Sequence, residues 1–288
     1  MSAYELLLTN RILPAIGETP LEEIDTRSLQ ALLNDQLAGG LSVKSVQDII
    51  VVVKMILRYG AESGYLPLRS YRLQYPTRNT GDAHRIETYS SAEQKAIIQY
   101  VTEHPSPKNV GILIALCTGM RIGEICALQW KNVDLENRVI CVRQTMSRIY
   151  EISDQGRKTR IVFDRPKTAD SNRDIPITSK LLPLLRKYRA VANDDYYVTS
   201  GEVRPIEPRT YRNYYRQLIL QEVGLDRCIK FHGLRHTFAT RLVESGAETT
   251  AVSKIMGHSN VSITMNLYVH PTMATKAESI NRSLKGLF

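Results

Sequence analysis

Apolar residues recur at intervals of three and four along the first third of the chain. Tyr4, Leu7, Leu8 and Ile12 predict a helix that stops near Pro14. Leu29, Leu32, Leu33 and Leu37 mark one face of a second, capped by Asp25 or Thr26 and ended by Gly39-Gly40. Ser42 opens a third, in which Val46, Ile49, Ile50, Val53, Ile56 and Leu57 keep a 3.6-residue period as far as Gly60 or Gly64. The periodicity then lapses. Residues 66–85, LPLRSYRLQYPTRNTGDAHR, hold four arginines, two prolines and a glycine, and read as a basic linker with a domain boundary near residue 80.

Beyond the linker the pattern is mixed. Ser90-Ser91-Ala92-Glu93 is a capping-box signature ahead of Ile97, Ile98 and Val101. Val110 to Cys117 reads as a buried helix, and Met120 to Leu128 as another after the turn Thr118-Gly119. The period then changes to two. Residues 138–149, 159–164 and 173–177 are rich in Val, Ile and Thr and predict one antiparallel sheet of about three strands. From Ser179 onward the chain reads as helical. The expected fold class is therefore mainly α with a small antiparallel β-sheet. It is organised as a helical domain over residues 1–79 and a larger domain over 80–288.

Composition narrows the function classes. Over 288 residues, 43% apolar and 23% charged content is ordinary for a folded protein and argues against wholesale disorder. No apolar run approaches the ~20 residues of a membrane span, so no membrane partner is expected. The start carries no signal-peptide or transit-peptide pattern. Cys117, Cys126, Cys141 and Cys228 form no CxxC pair and read as reduced thiols of a cytoplasmic protein. The 38 Lys and Arg against 29 Asp and Glu leave a net charge of +9, which makes a polyanion a reasonable partner, though a basic enzyme with a small-molecule substrate fits charge alone equally well.

Three groups of residues carry candidate chemistry. In TGMRIGE, Arg121 and Glu124 stand i,i+3 on a helix beside a glycine turn, between apolar residues. In FHGLRHT, His232 and Arg235 have the same spacing. His232 and His236 stand i,i+4 as in a zinc protease helix, but Gly233 occupies the position of the required glutamate, so no metal is assigned. The third group is Gly257-His258, followed ten residues later by Tyr268. Together these supply two guanidiniums, two imidazoles and a phenol. Two planar guanidinium forks are suited to clamp one phosphodiester and to favour a pentacoordinate transition state. A phenol with a pKa near ~10 needs such help to act as a nucleophile. No acidic pair for magnesium, no P-loop and no GxGxxG are present, so no cofactor is expected.

The segments TGMRIGEICAL, FDRPKTADSNRDIPI, FHGLRHTFAT and MGHSNVSITMNLYVH, in this order and at these separations, resemble the tyrosine recombinases, or phage-type integrases. The likeness is strongest to those of conjugative transposons and related prophages. It covers nearly the whole chain, as a core-binding domain followed by a catalytic domain, without the arm-binding domain of larger integrases. The resemblance implies a catalytic set of Arg121, Lys167, His232, Arg235, His258 and the nucleophile Tyr268, with Glu124 in support. Lys167 is singled out by the resemblance alone, as the acid that protonates the leaving 5′-oxygen.

The implied activity is site-specific DNA recombination through a 3′-phosphotyrosyl link, independent of metal and ATP. The implied partners are double-stranded recombination sites, further copies of the chain in a tetramer, and directionality or host accessory proteins, with a nucleoid-associated location. Lys54 and Arg58, together with Arg209, Arg212 and Arg216 on a basic helix from Pro208 to Val223, are candidate DNA contacts from the two domains. Met273, Ala277, Ile280, Leu284 and Leu287 form an amphipathic tail, which in the family docks onto a neighbouring subunit. Competing readings are a type IB topoisomerase, which rejoins the same strand, and a catalytically silent DNA-binding regulator.

Overall fold

The computed structural model describes residues 3–76, 86–153, 156–164, 172–268 and 281. The chain divides into two compact units, Met1–His84 with Ile149–Arg160, and Arg85–Arg148 with Ile161–Phe288.

Among the described residues, the first unit is mainly helical apart from residues 66–76 and the 149–160 segment. Helix α1 (Ala3–Leu7) passes through a π turn (Leu8–Ile12) into α2 (Leu13–Ile16). Pro14 therefore does not stop the first helix, as its sequence suggested. A proline inside a regular α-helix lacks one N–H and presses on the carbonyl four residues back. The turn just before it is widened, with the Leu13 N–H bonding Leu8 O, and the helix continues to Gly17.

Asp25 caps α3 (Thr26–Ala38) by accepting the Ser28 N–H at 2.8 Å. Gly40, at φ 84°, turns the chain after it. Ser42 caps α4 (Val43–Glu62) in the same way through Ser45. The two helices meet along the expected faces. Leu29, Leu32 and Leu33 pack with Val46, Ile49, Ile50, Val53 and Leu57 into one core that also holds Ile12.

Residues 66–76 have no helix or strand, but they are not a solvated tether. Leu66 is buried, and Tyr71, Leu73 and Tyr75 pack on the same core. The Gln30 side chain reads the Gln74 backbone from both sides, accepting its N–H at 2.8 Å and donating to its carbonyl at 2.9 Å. The remainder of the linker, 77–85, lies outside the described residues.

In the second unit the Ser90–Glu93 capping box opens α5 (Ser91–Glu103). Ser106 then caps α6 (Pro107–Thr118), whose residues are nearly all buried, and a short α7 (Ile122–Cys126) follows. The strands depart from the expectation of a single sheet. β1 (Val133–Asp134), β2 (Val139–Val142) and β5 (Arg173–Pro176) form an antiparallel sheet in the order β1-β2-β5. β3 (Thr145–Ser153) and β4 (Gly156–Asp164) pair separately.

The long strand expected over 138–149 breaks at Arg143-Gln144, and two side-chain effects account for it. The Arg143 guanidinium folds onto β5, donating to Asp174 Oδ1 at 2.6 Å and to Arg173 O at 3.2 Å. Thr145 and Met146 then press against Gly123 of α7. A Cβ there would sit 2.5 Å from Thr145 Oγ1 and 2.7 Å from Met146 O, so only glycine fits.

After α8 (Leu182–Arg189), residues 190–207 are irregular rather than helical. Asn193-Asp194-Asp195, Gly201 at φ 71° and Pro205 supply turns in place of a periodic face. Helices α9 (Pro208–Gln217, extended by a π turn to Glu222), α10 (His232–Glu244), α11 (Thr249–Met256) and α12 (Val261–Tyr268) complete the unit. One large core runs through α5, α6, α7, the three-stranded sheet, α8 and α9. The fold is mainly helical with small antiparallel sheets, the class expected. The apolar positions of the tail, Met273 to Leu287, lie outside the described residues.

Candidate active site

The last turn of any α-helix leaves carbonyls without helical partners, and the helix dipole makes that end negative. At the end of α11, Gly257 takes φ 63°. Its N–H and that of His258 close back on Lys254 O and Ser253 O. The next three carbonyls are each taken by a different arginine. Ile255 O accepts from Arg173 Nε at 2.7 Å, Met256 O from Arg235 Nη2, and Gly257 O from Arg121 Nη2 at 3.1 Å. Guanidiniums at least fifty residues apart in sequence thus gather on three consecutive peptides just ahead of His258.

Each arginine has a second anchor. Arg235, on α10, is only 2% exposed and also donates to Gly119 O at 2.7 Å. Gly119 holds φ 65°, and a Cβ there would meet Phe238 at 2.6 Å and Met256 Sδ at 2.9 Å. Arg121, at the start of α7, donates to Glu124 Oε1 at 2.9 Å, and its backbone N–H bonds Glu124 Oε2 at 2.8 Å. Arg173 meets both Glu124 oxygens, at 3.0 and 2.9 Å. Glu124 is therefore a buried carboxylate held by two guanidiniums, not a surface ion pair. Burial pushes its pKa up, but Arg173 and Arg121 outweigh that and hold it below the ordinary glutamate value.

Sequence reasoning passed over Arg173 as a functional residue. The signal was present: in R-D-I-P-I it holds the same inward register as Ile175 and Ile177, and it pairs with the buried Val142 on β2.

The two histidines belong to the same field. Burial, and then the charges of Arg235, Arg121, Arg173 and His232, lower the His258 pKa to about 4. Its Nδ1 lies 2.8 Å from the hydroxyl of Thr264 on α12. His232 keeps an exposed edge, yet the packing around its ring, with Arg235 and Arg121, also lowers its pKa. The His236 ring stands edge-on to it, with centroids 4.7 Å apart and planes at 89°.

Both candidate histidines are thus neutral near pH 7, and the cluster holds three guanidiniums against one carboxylate, only two of them paired with it. The excess positive charge suits a phosphodiester oxyanion. Among the described residues no group of three or more His, Cys, Asp or Glu is placed to hold a metal ion. Tyr268 is the last residue of α12, which packs on α11 and α10. Lys167 lies outside the described residues, between β4 and β5.

The candidate DNA contacts differ among themselves. Arg209, Arg212 and Arg216 share the exposed face of α9, while Pro208, Tyr211 and Tyr215 face the core. Arg58 is exposed, but Lys54 is partly buried and donates to Tyr71 O at 2.9 Å, bracing residues 66–76. No described helix is long and apolar enough to cross a membrane.

Comparison with known proteins bears on the whole arrangement. The phage integrase family matches residues 88–275. The XerC-like tyrosine recombinase of Caldanaerobacter subterraneus subsp. tengcongensis is 30% identical over 285 residues, covering 92% of this chain and 72% of the relative. The integrase of Staphylococcus phage L54a is 26% identical, covering 92% and 79%. The fold is similar to that of the Tn1549 transposon integrase in complex with circular intermediate DNA, with a TM-score of 0.74 at 22% identity over 97% of this chain and 90% of that one. It is also similar to a lambda integrase fragment bound to a core site, with a TM-score of 0.64 at 16% identity over 92% and 87%. With 188 of its residues inside the family match and its arginines and histidines gathered at one helix end, the chain belongs to the phage integrase family, the tyrosine recombinases.

Proposed function

We propose that the chain cleaves and rejoins DNA at specific sites through Tyr268, with Arg121, Arg235 and His258 holding the scissile phosphate. The observation that carries this reading is the delivery of Arg121 and Arg235 to adjacent carbonyls immediately before His258. The Tyr268 oxygen attacks phosphorus, neutral His232 takes the phenolic proton, and the bond from phosphorus to the 5′-oxygen breaks. Lys167 protonates that oxygen. The 3′-phosphotyrosyl ester conserves the bond energy, and a 5′-hydroxyl of a partner duplex reverses the step to complete the exchange.

Residues 1–79 form the core-binding domain and 80–288 the catalytic domain in this reading. Solved relatives are bound to DNA, and lambda integrase forms a tetramer on a Holliday junction. The same assembly is proposed here, with the tail beyond residue 270 docking onto a neighbouring copy and accessory proteins setting direction.

The test is a nicked duplex that traps the covalent adduct. The wild-type chain accumulates the adduct and Tyr268→Phe binds the duplex without forming it. An adduct on the Phe variant removes Tyr268 from the role. Joining of two distinguishable duplexes separates a recombinase from a topoisomerase.

A further inference from the structure

A neutral imidazole has one proton for two nitrogens, so its other partner decides which face it shows to a ligand. His258 has such a partner. Thr264, fully buried on α12, lies with its hydroxyl 2.8 Å from Nδ1, and α12 ends one turn later at Tyr268. Among the described residues this imidazole nitrogen is the one hydrogen-bond partner recorded for the Thr264 hydroxyl. If Nδ1 carried the proton, the buried hydroxyl would accept it and leave its own proton without an acceptor, a costly arrangement away from water. If the hydroxyl donates to Nδ1, both groups are satisfied and the imidazole proton sits on Nε2.

We propose that Thr264 is a positioning residue: its hydroxyl donates to His258 Nδ1, fixes the Nε2–H tautomer and aims that N–H at a phosphoryl oxygen. This rests on the recombinase reading above for the phosphate, but the tautomer itself is independent of it. The device also explains why a histidine held at a pKa of about 4 is still a donor at neutral pH. It needs no charge, because its one proton is kept on the ligand side. A wrong tautomer in a comparable catalytic imidazole abolishes most activity without disturbing geometry. The hydrogen bond further ties the loop after α11 to the helix that ends in Tyr268, so ring orientation and the register of α12 are set together.

The test has two arms. In the first, ¹⁵N-labelled wild-type protein without DNA is examined by imidazole ¹H–¹⁵N correlation near pH 7.5. The His258 resonances, assigned by their loss in His258→Gln, show a protonated Nε2 and an unprotonated Nδ1. The opposite pattern overturns the proposal whatever the enzyme does. In the second, Thr264→Val and Thr264→Ser are compared on the nicked duplex in single turnover. Thr264→Val slows adduct formation by about tenfold or more while duplex affinity stays within about twofold, and Thr264→Ser restores the rate. Combined with His258→Ala, Thr264→Val adds no further loss, because it acts through the ring. Full activity of Thr264→Val, or additive losses, overturns the proposal. Should Thr264→Val fail to fold, the Ser variant and the wild-type tautomer still decide it. Absence of any adduct from the wild-type chain defeats the recombinase reading instead and leaves the first arm standing.

Discussion

Arg173 and Glu124 meet fork to fork, with two parallel hydrogen bonds of 3.0 and 2.9 Å between groups that are both almost fully buried. The pair joins β5 to α7, and Arg121 takes its orientation from the same carboxylate. Removing one partner of a buried pair strands the other, which typically costs about 3–5 kcal/mol. Arg173→Met is therefore expected to lower the unfolding free energy by about that amount. Arg173→Lys keeps the charge but not the fork, and is expected to fall between Met and wild type. Denaturant unfolding monitors the first effect and adduct formation the second. A Lys variant equal to wild type in both would show that the bidentate geometry is dispensable.

Gly119 and Gly64 separate two costs of adding a side chain. Both have positive φ, 65° and 80°, so alanine at either loses about 1–2 kcal/mol for the left-handed backbone. At Gly64 nothing lies within 4 Å of the new Cβ, whereas at Gly119 the ring of Phe238 and the sulfur of Met256 stand in its way. Overpacking adds about 1–3 kcal/mol. Gly119→Ala is expected to destabilise clearly more than Gly64→Ala. It should also slow cleavage, because Gly119 O anchors Arg235. Equal midpoint shifts in denaturant for the two variants would contradict the packing described.

Stability should depend on pH in a window set by histidines. His236 and His258 are held at about 4 by burial and neighbouring charge, against 6.5 in an unstructured chain. Between those values the unfolded chain binds more protons, so stability falls as pH drops from 6.5 toward 4 and is level above 6.5 on this account. Glu93, held at about 2 chiefly by Arg227, and the depressed Glu124 add a further loss that begins near the ordinary glutamate value of 4.5 and continues as pH falls toward their lowered values. Melting temperatures at pH 7.5, 6.5, 5.5 and 4.5 follow this directly. His236→Gln is expected to shallow the decline between 6.5 and 4.5, and an unchanged slope would mean that another group governs it.

The exposed arginines of α9 make a separable prediction. Replacing Arg209, Arg212 and Arg216 with glutamine leaves the buried face of Tyr211 and Tyr215 untouched, so unfolding should change little. If they contact phosphates, duplex affinity falls, and the slope of log K against log salt shallows by about 0.9 per lost contact. Lys54→Ala is expected to behave differently. It removes the bond to Tyr71 O and is predicted to speed amide exchange along residues 66–76. Titration at several salt concentrations and hydrogen exchange distinguish the two outcomes.

Much of this fold is legible in its sequence. α3 and α4 followed from their leucine and isoleucine periods and from Asp25 and Ser42 at their starts, because capping and amphipathicity are local. The errors came from longer range. Pro14 is absorbed by a π turn, and the strand through Arg143 breaks because a guanidinium folds onto β5. The stretch 190–207 holds enough apolar residues to resemble a helix but too many turn formers to make one.

At the site, Arg121, Glu124, His232, Arg235 and His258 follow from spacing and resemblance together, and the structure brings Arg121 and Arg235, joined by Arg173, to one helix end. Arg173 and Thr264 were passed over as functional residues. Their significance lies in what they touch, and neither a buried arginine in a strand nor one threonine in a helix declares its partner. The carbonyls of Ile255, Met256 and Gly257 are invisible to any reading of side chains.

That last point bears on how such an enzyme tolerates mutation. A carbonyl belongs to the peptide, so exchanging Ile255 or Met256 for another residue changes the side chain and leaves the acceptor in place. The three arginines are thereby insulated from drift along the surface that anchors them. The vulnerability is concentrated instead in the path of the main chain, above all at the single left-handed residue that closes α11, where changing one glycine would redirect several anchors at once.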